Sequence, residues 1–147
     1  MSLATPLCRA VLGIDAPLVT VETHLANGLP GFNIVGLPEK AVQESRDRVR
    51  SALLNAGFEF PARRITVNLA PADLPKQGSR FDLAIAIGIL AASAQLPGQH
   101  LETLELVGEL TLGGQVRTVD GILPVAMACH AAGHTLALPA GNCAEAA

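Results

Sequence analysis

A loop at residues 71–80 carries the side chains of this sequence with the greatest capacity for chemistry. Lys76, Ser79 and Arg80 surround Gly78, between a segment of alternating apolar residues and one that is almost wholly apolar. A serine hydroxyl acts as a nucleophile only with a general base beside it, and Lys76 is the one base near Ser79 in this loop. Loop serines next to glycine usually shape turns or cap helices. We therefore interpret Ser79 as structural.

The same loop has the composition of a phosphate-binding site. Lys76 and Arg80 flank Gly78 just ahead of the helix predicted at residues 81–95, whose first N–H groups have no partner within the helix. Together these groups are a candidate contact for phosphate or DNA. The alternative is a solvated loop, with Asp82 capping or complementing the start of the helix.

Four more arginines are candidates for extending this basic surface along a predicted helix and into the strand after it. They are Arg46, Arg50, Arg63 and Arg64. The alternative is that Arg50 pairs with Asp47, and Arg48 with Glu44, on the exposed face of the helix, where such pairs contribute little. Because none of the candidate positions is aromatic, any DNA contact there would be directed at the backbone and tolerant of sequence.

The distribution of charge is consistent with one basic face but does not require it. The formal net charge is −3, yet residues 38–82 hold eight basic and six acidic side chains, a balance of +2, and the balance after Asp82 is −4. Ordinary helix-surface charges produce the same asymmetry.

Length and composition predict a single compact domain. A chain of 147 residues buries roughly 70% of the surface that it exposes when unfolded, so neither a disulfide nor a metal is needed for stability. Half of the residues are hydrophobic and only four are aromatic, all of them Phe. The core must therefore be packed from Val, Leu, Ile and Ala.

The three cysteines are widely spaced and odd in number, as expected of reduced thiols in a cytosol. Cys129, His130, His134 and Cys143 have the residue types of a zinc site, but adjacent residues point in different directions on a helix. We interpret them as a buried thiol and surface histidines, with no metal. The N-terminal residues MSLATPLCRA lack the apolar core of a signal peptide, and the longest apolar stretch, residues 83–96, is shorter than a membrane span. The sequence therefore predicts a cytoplasmic protein without a membrane partner.

Hydrophobic periodicity predicts an α+β domain, with helices packed on one side of a mixed sheet. The predicted elements are a hairpin of residues 7–14 and 18–26, a strand at 32–35, a helix at 38–55, a half-exposed strand at 63–70, a buried helix at 81–95, a second hairpin of residues 104–112 and 115–118, a helix at 122–132 and a strand at 135–138. No regular structure is predicted after Pro139.

Two segments resemble the Lon protease family, in which a serine attacks the peptide and a lysine takes the proton. PKQG at residues 75–78 resembles the P-K-[DE]-G that precedes P-S-A-G, and this pattern puts Arg80 at the serine position. GELTL at residues 108–112 resembles the start of the second Lon segment, whose catalytic lysine falls on Val125. A guanidinium has no hydroxyl oxygen that could attack a peptide, and it stays protonated, so it cannot act as a base. The resemblance therefore implies a Lon-like fold that is not an enzyme.

A longer resemblance covers residues 19–90, from VTVETHLANGLPGF to FDLAIAIGIL, and VGELTLGGQVRTVDGILP at residues 107–124. Both segments are similar to the N-terminal domain of the ComM/YifB group of magnesium-chelatase-like AAA+ proteins. The resemblance implies a fold like the Lon proteolytic domain, the same superfold as the second domain of a small-subunit ribosomal protein. It also implies a hexameric ring and a DNA helicase role in branch migration during natural transformation and recombination.

The resemblance further implies a Lon-like N-terminal domain at residues 1–139 and a linker at residues 140–147 toward an AAA+ module. No G-x-x-x-x-G-K-[ST] is present, so no cofactor is expected in this chain, and ATP and Mg²⁺ are expected only in that module. The implied partners are the AAA+ module, further copies of the chain and DNA. Three hypotheses follow: a non-catalytic domain for ring assembly and DNA guidance, a pure oligomerisation or partner-docking module, and a degenerate peptidase.

Overall fold

The computed structural model describes residues 2–147, which form a seven-stranded mixed sheet, a small two-stranded hairpin and five short helices. The strands are β1 (Leu3–Ala4), β2 (Leu7–Arg9), β3 (Leu18–Ala26), β4 (Gly31–Val35), β5 (Arg64–Ala70), β6 (Leu104–Leu106), β7 (Glu109–Leu110), β8 (Val116–Arg117) and β9 (Thr135–Ala137). The helices are α1 (Lys40–Gln43), α2 (Ser45–Asn55), α3 (Asp82–Ala92), α4 (Ile122–Ala132) and α5 (Cys143–Ala146), with 3-10 turns at Leu101–Thr103 and Ala140–Asn142. None of the helices within residues 2–147 has the length and apolar character that a membrane crossing requires.

The strand order of the sheet is β4-β5-β3-β2-β6-β9, with β1 beside β3. β3 pairs antiparallel with β2 and β5, whereas β4 runs parallel to β5 and β6 runs parallel to β2 and β9. The first predicted hairpin is therefore present, although its first strand ends at Arg9. The mixed sheet of the predicted α+β fold is confirmed.

Alternation along β5 directs its apolar residues toward the helices. Ile65, Val67 and Leu69 are fully buried, whereas Arg64 and Thr66 on the other face are exposed or half-buried. α3 is apolar on almost every side and lies on the buried face against β3, with α2 beside it. These two helices follow the predicted one-sided arrangement.

The fourth helix extends the helical cover to the other face of the sheet. Arg9 of β2 and Glu105 of β6 lie on that face, and the buried Cys129 of α4 lies beside the Glu105 carboxylate. Arg9 donates to both oxygens of Glu105, at 2.7 and 2.9 Å, and His134 Nδ1 lies 2.7 Å from Oε2. This buried ion pair joins two strands of the sheet to the end of α4.

Because of this ion pair, the free energy of unfolding depends on pH in the acidic range. Burial by itself would raise the pKa of Glu105, but the hydrogen bonds from Arg9 and His134 lower it below its ordinary value of 4.5. A carboxylate with a lowered folded-state pKa stabilises the protein above the unfolded-state pKa. It loses that contribution as the pH falls through the folded-state pKa.

We therefore expect the free energy of unfolding to fall more steeply below pH 4.5 in the wild type than in Glu105→Gln. Urea denaturation at a series of pH values measures both slopes. The matched control is Glu59→Gln, because Glu59 is exposed and its substitution should leave the wild-type slope unchanged. Equal slopes in Glu105→Gln and the wild type would contradict the prediction.

The structure departs from the predicted elements at three places. The helix predicted at residues 38–55 is interrupted at Glu44, which separates α1 from α2. The strand predicted at residues 104–112 is divided because the backbone of Gly108 bonds to Arg80 and Leu83 instead of to the sheet, so that only β7 and β8 form the second hairpin. The tail after Pro139 is regular, contrary to the prediction, and its role as a linker stays a prediction.

Candidate functional site

The loop between β5 and α3 holds Lys76 inside the protein. Its side chain is fully buried, and Nζ donates to the carbonyl oxygens of Gly36, at 2.6 Å, and Pro71. Burial lowers the pKa of Lys76, and the charge of Asp73 opposes that effect. The prediction that Lys76 offers its charge to a phosphate at the surface is wrong, because the ammonium group joins this loop to the segment after β4.

Arg80 is half-buried at the end of the same loop. One terminal nitrogen donates to the carbonyl of Asp120, and the buried Nη1 atom has no hydrogen-bond partner among residues 2–147. Burial lowers the pKa of Arg80, although Cys8 and Asp120 oppose the shift. Arg80 is thus held by the segment before α4, and its contact with DNA stays a prediction.

Two N–H groups at the start of α3 already have partners within the protein. The N–H of Asp82 donates to the carbonyl of Ser79 at 3.2 Å, and the N–H of Leu83 donates to the carbonyl of Gly108 at 3.1 Å. These two donors are therefore not available to a phosphate, and a phosphate contact at the start of this helix stays a prediction.

The positions aligned with the Lon catalytic residues do not form a catalytic pair. Val125, at the lysine position, is buried in α4. The hydroxyl of Ser79 donates to the carboxylate of Glu109, and the structure of residues 2–147 shows no hydrogen bond between Ser79 and Lys76. The contact that activates a serine in the Lon pattern is therefore not formed at this loop.

A pocket of about 450 Å³ lies between this loop, the turn after β2 and the β7–β8 hairpin. Its lining includes the acidic residues Glu39, Glu109 and Asp120, and one basic residue, Arg80. Glu39 also fixes the loop, because its carboxylate accepts the N–H of Gly78 at 3.0 Å. We name this the acidic pocket, and its excess of carboxylates disfavours a phosphate.

Asp82 is fully buried and connects three elements. Its carboxylate accepts hydrogen bonds from the Ser45 hydroxyl, from Nε and Nη2 of Arg48 at 2.7 and 3.1 Å, and from the N–H of Leu110 at 3.0 Å. The side chain makes no capping bond to its own helix. Arg48 thus pairs with Asp82 rather than with the predicted Glu44, so the structural role predicted for Asp82 holds by a different mechanism.

A second pocket, of about 430 Å³, collects two of the predicted arginines around two aromatic rings. Arg50, Arg63, Phe32, Phe60 and Leu54 are among the residues that line it. The rings of Phe32 and Phe60 are 5.7 Å apart and tilted by 38°, and the guanidinium of Arg50 lies 5.7 Å from the centroid of Phe60. We name this the arginine–phenylalanine pocket.

The remaining candidate arginines are exposed beside these elements. Arg46 lies one turn before Arg50 on α2, with Nε donating to a backbone carbonyl at 3.2 Å, and Arg64 opens β5. Arg50 forms its cation–π contact instead of the predicted pair with Asp47. None of the candidate positions is itself aromatic, but folding brings the rings of Phe32 and Phe60 to Arg50 and Arg63.

The two pockets lie at opposite ends of β3. Ala10 in the acidic pocket follows the residue that pairs with Leu18 at the start of β3. Gly31 in the arginine–phenylalanine pocket pairs with Arg64, the partner of Ala26 at the end of β3. At about 3.3 Å per residue the two ends are roughly 25–30 Å apart. Arg80 and Arg50 therefore lie near opposite ends of β3, so the candidate residues do not together form the one basic face with which the sequence is consistent.

The cysteines and histidines considered for a zinc site are distributed among separate environments. Cys129 is buried, His130 is exposed and His134 bonds to Glu105. Within residues 2–147, no group of three or more such side chains is placed to hold a metal ion. Burial raises the pKa of Cys129 to about 11 and that of Cys8 to about 12.

We expect one of the three thiols to react with Ellman's reagent in the native protein. Cys143 is exposed, whereas Cys8 and Cys129 are buried, and their raised pKa values keep them protonated near neutral pH. Spectrophotometric titration should show one equivalent before denaturation and three after it. Cys143→Ser is the control, and rapid reaction of two or three thiols in the folded protein would contradict the structure.

Comparison with known proteins places the chain in a magnesium-chelatase-like family. The family model described as subunit ChlI of Mg-chelatase matches residues 21–142, so the chain belongs to this family. It is 60% identical over 146 residues, 99% of the chain, to competence protein ComM of Haemophilus influenzae, and 55% identical over 145 residues, also 99%, to protein YifB of Salmonella typhimurium. The chain spans about 29% of the length of these two relatives.

A weaker similarity connects the chain to a peptidase family. It is 26% identical over 127 residues to the Lon protease of Mycoplasma mobile, which is 82% of this chain and 15% of that protein. The predicted resemblance to the Lon proteolytic domain and to the magnesium-chelatase-like group is thereby confirmed.

Proposed function

We propose that this chain is the non-catalytic N-terminal domain of a ComM-type AAA+ DNA helicase of the cytoplasm, acting in natural transformation and recombination. In this proposal the domain contributes to the assembly of a hexameric ring and guides DNA toward the motor during branch migration. ATP and Mg²⁺ would be bound by the AAA+ module. The similarity to competence protein ComM over 99% of the chain supports the proposal.

The proposal that this domain is not catalytic rests on the residues found at the two positions aligned with the Lon catalytic serine and lysine. Arg80 stands at the serine position, Val125 at the lysine position is buried, and the nearby Lys76 is bonded to two carbonyls. Neither a nucleophile nor a base remains at the aligned positions. The Lon architecture would then serve assembly and electrostatics.

The part that concerns DNA rests on the exposed arginines of α2 and β5. Arg46, Arg50 and Arg64 are exposed, whereas Lys76 is buried and Arg80 lies beside carboxylates. Exposed arginines bind phosphates without selecting a sequence, and their contribution falls with salt because counterions are released.

Fluorescence anisotropy with a labelled branched DNA tests the proposal. We expect binding that weakens steeply with salt and is largely lost when Arg46, Arg50 and Arg64 are all changed to Glu. The matched control is Arg117→Glu, an exposed arginine paired with Glu109 of the acidic pocket, which should bind nearly as well as the wild type. Binding that is absent at low salt, or unaffected by the triple substitution, would overturn DNA guidance.

The non-catalytic part has its own test. The chain should not cleave an unfolded protein such as casein. Cleavage that is lost in Ser79→Ala would overturn this part of the proposal and favour a degenerate peptidase.

A pure assembly or partner-docking module is the second candidate, and the surface of α4 favours it. Leu123 and Met127 lie one turn apart on this helix with 50% and 65% of their surface exposed. Exposed apolar residues in such a stripe are typical of contact surfaces. Oligomers seen in sedimentation velocity that dissociate in Met127→Glu, together with absent DNA binding, would favour this candidate.

A further inference from the structure

We propose that the arginine–phenylalanine pocket is a binding site for an unpaired base of single-stranded DNA, with Phe32 and Phe60 stacking on the base and Arg50 contacting its phosphate. This inference rests on the proposed DNA-guidance function and adds a site, a strand state and a mode of recognition. The pocket lies outside the loop that resembles the Lon catalytic segment.

The chemistry of the lining selects the class of ligand. Two aromatic rings and the exposed side chain of Leu54 provide flat apolar surface, whereas Arg50 and Arg63 provide two cations, and no carboxylate is among the lining residues. A nucleotide combines a flat aromatic base with a negative phosphate. A volume of about 430 Å³ is within the range of sites for small ligands, which is roughly 300–1,000 Å³.

The two arginines have different roles. Arg63 is partly used by the fold, because it donates to the Ser2 hydroxyl at 3.0 Å and to the carbonyl of Leu25 at 3.2 Å, while its buried Nε has no partner among residues 2–147. Arg50 is exposed and lies over the Phe60 ring. Arg50 is therefore the residue placed to contact a phosphate beside a stacked base.

The neighbouring surface extends the phosphate contact along a strand. Arg46 lies one turn from Arg50 on α2, and Arg64 follows Arg63 at the start of β5, and both are exposed. A duplex keeps its bases stacked on one another, so rings in a pocket can reach a base only where the strand is unpaired. A forked DNA with a single-stranded arm offers such unpaired bases.

The chain itself provides a clean optical test, because it contains neither Trp nor Tyr. The probes are an oligothymidylate with one central 2-aminopurine, an abasic oligomer of equal length and the matching duplex. We expect the fluorescence of 2-aminopurine to change on binding, and the wild type to bind the oligothymidylate about tenfold more tightly than the abasic oligomer.

The decisive variant is Phe60→Leu, which keeps an apolar side chain but removes the ring. It should reduce the preference for the base-carrying oligomer to about twofold or less, while leaving duplex binding and the salt dependence unchanged. The matched control is Phe58→Leu, since Phe58 is a half-buried phenylalanine of the same segment that does not line the pocket. This control should retain the full preference.

The outcomes separate this inference from the function on which it rests. Salt-sensitive DNA binding with equal affinity for abasic and base-carrying oligomers, or unchanged by Phe60→Leu, would overturn the base site and leave DNA guidance standing. No binding of any of the three probes would overturn both. If Phe60→Leu unfolds, photocrosslinking of a 5-iododeoxyuridine oligomer to the wild type decides, because crosslinks outside the peptides that contain Phe32 and Phe60 would overturn the site.

Discussion

Replacing Asp82 with alanine is expected to lower the free energy of unfolding by about 3 kcal/mol. The Asp82 carboxylate is fully buried and accepts bonds from α2 and β7, so its removal leaves Arg48, Ser45 and the N–H of Leu110 without their partner. The side chain of Arg48 retains 22% exposure, and water therefore limits the loss to the lower end of the range for buried ion pairs. Urea denaturation followed by circular dichroism measures the change.

Two further variants identify the cause of that loss. Asp47→Ala removes an exposed carboxylate from α2, next to Arg48 in the sequence, and should change the free energy of unfolding by less than about 0.5 kcal/mol. Adding Arg48→Met to Asp82→Ala should recover part of the loss, because the uncompensated charge is then absent. If Asp82→Ala costs no more than Asp47→Ala, the buried network is not a source of stability.

Gly36→Ala is expected to destabilise the protein by at least about 3 kcal/mol. The backbone of Gly36 has φ +105°, a conformation that alanine rarely adopts, and a Cβ atom there would lie 2.2 Å from the carbonyl oxygen of Leu69. The colliding atoms belong to the backbone of β5, which is paired with β3 on one side and β4 on the other, so they cannot rotate aside. Differential scanning calorimetry should show a fall in Tm of roughly 10 °C.

The control for Gly36→Ala is Gly57→Ala, which separates backbone conformation from collision. Gly57 has a similar φ of +89°, but nothing lies within 4 Å of the place where its Cβ would be. It should cost only the conformational strain, about 1 kcal/mol. Equal losses in the two variants would show that the contact with Leu69 does not matter.

The elements that the sequence predicts best are those whose local pattern decides their burial. Ile65, Val67 and Leu69 alternate with polar residues, and residues 83–92 are so uniformly apolar that burial of this helix is expected. Alignment with the second Lon segment was enough to show that Val125 stands at the lysine position, and its burial in α4 agrees with its apolar side chain.

The candidate site was less predictable because distant residues decide it. Lys76 is buried because Gly36 supplies a carbonyl from forty positions earlier in the chain. Arg48 pairs with Asp82 rather than with its helical neighbour, and no local spacing encodes that choice. Long-range contacts also separate the arginines, because Arg80 bonds to Asp120 in the acidic pocket, whereas Arg64 pairs with Ala26 at the end of β3.

The arginine–phenylalanine pocket was also not predictable from the sequence. Phe32 is the second residue of β4 and Phe60 lies between α2 and β5, and the local sequence marks each of them only as an ordinary hydrophobic residue. The parallel pairing of β4 with β5 brings Phe32 to the segment that contains Phe60, beside Arg50. A sequence could reveal this pocket only if the strand pairing were already known.

The two pockets at the ends of β3 are lined by side chains of opposite charge. A pole rich in carboxylates and a pole with two guanidinium groups, roughly 25–30 Å apart, form a dipole that turns the protein as it approaches a polyanion. At physiological ionic strength, screening acts over about 8 Å, so each pole meets its surroundings independently of the other. In the proposed ring, every subunit would direct the same charged end toward the DNA strand, and the acidic end would remain available for basic protein surfaces.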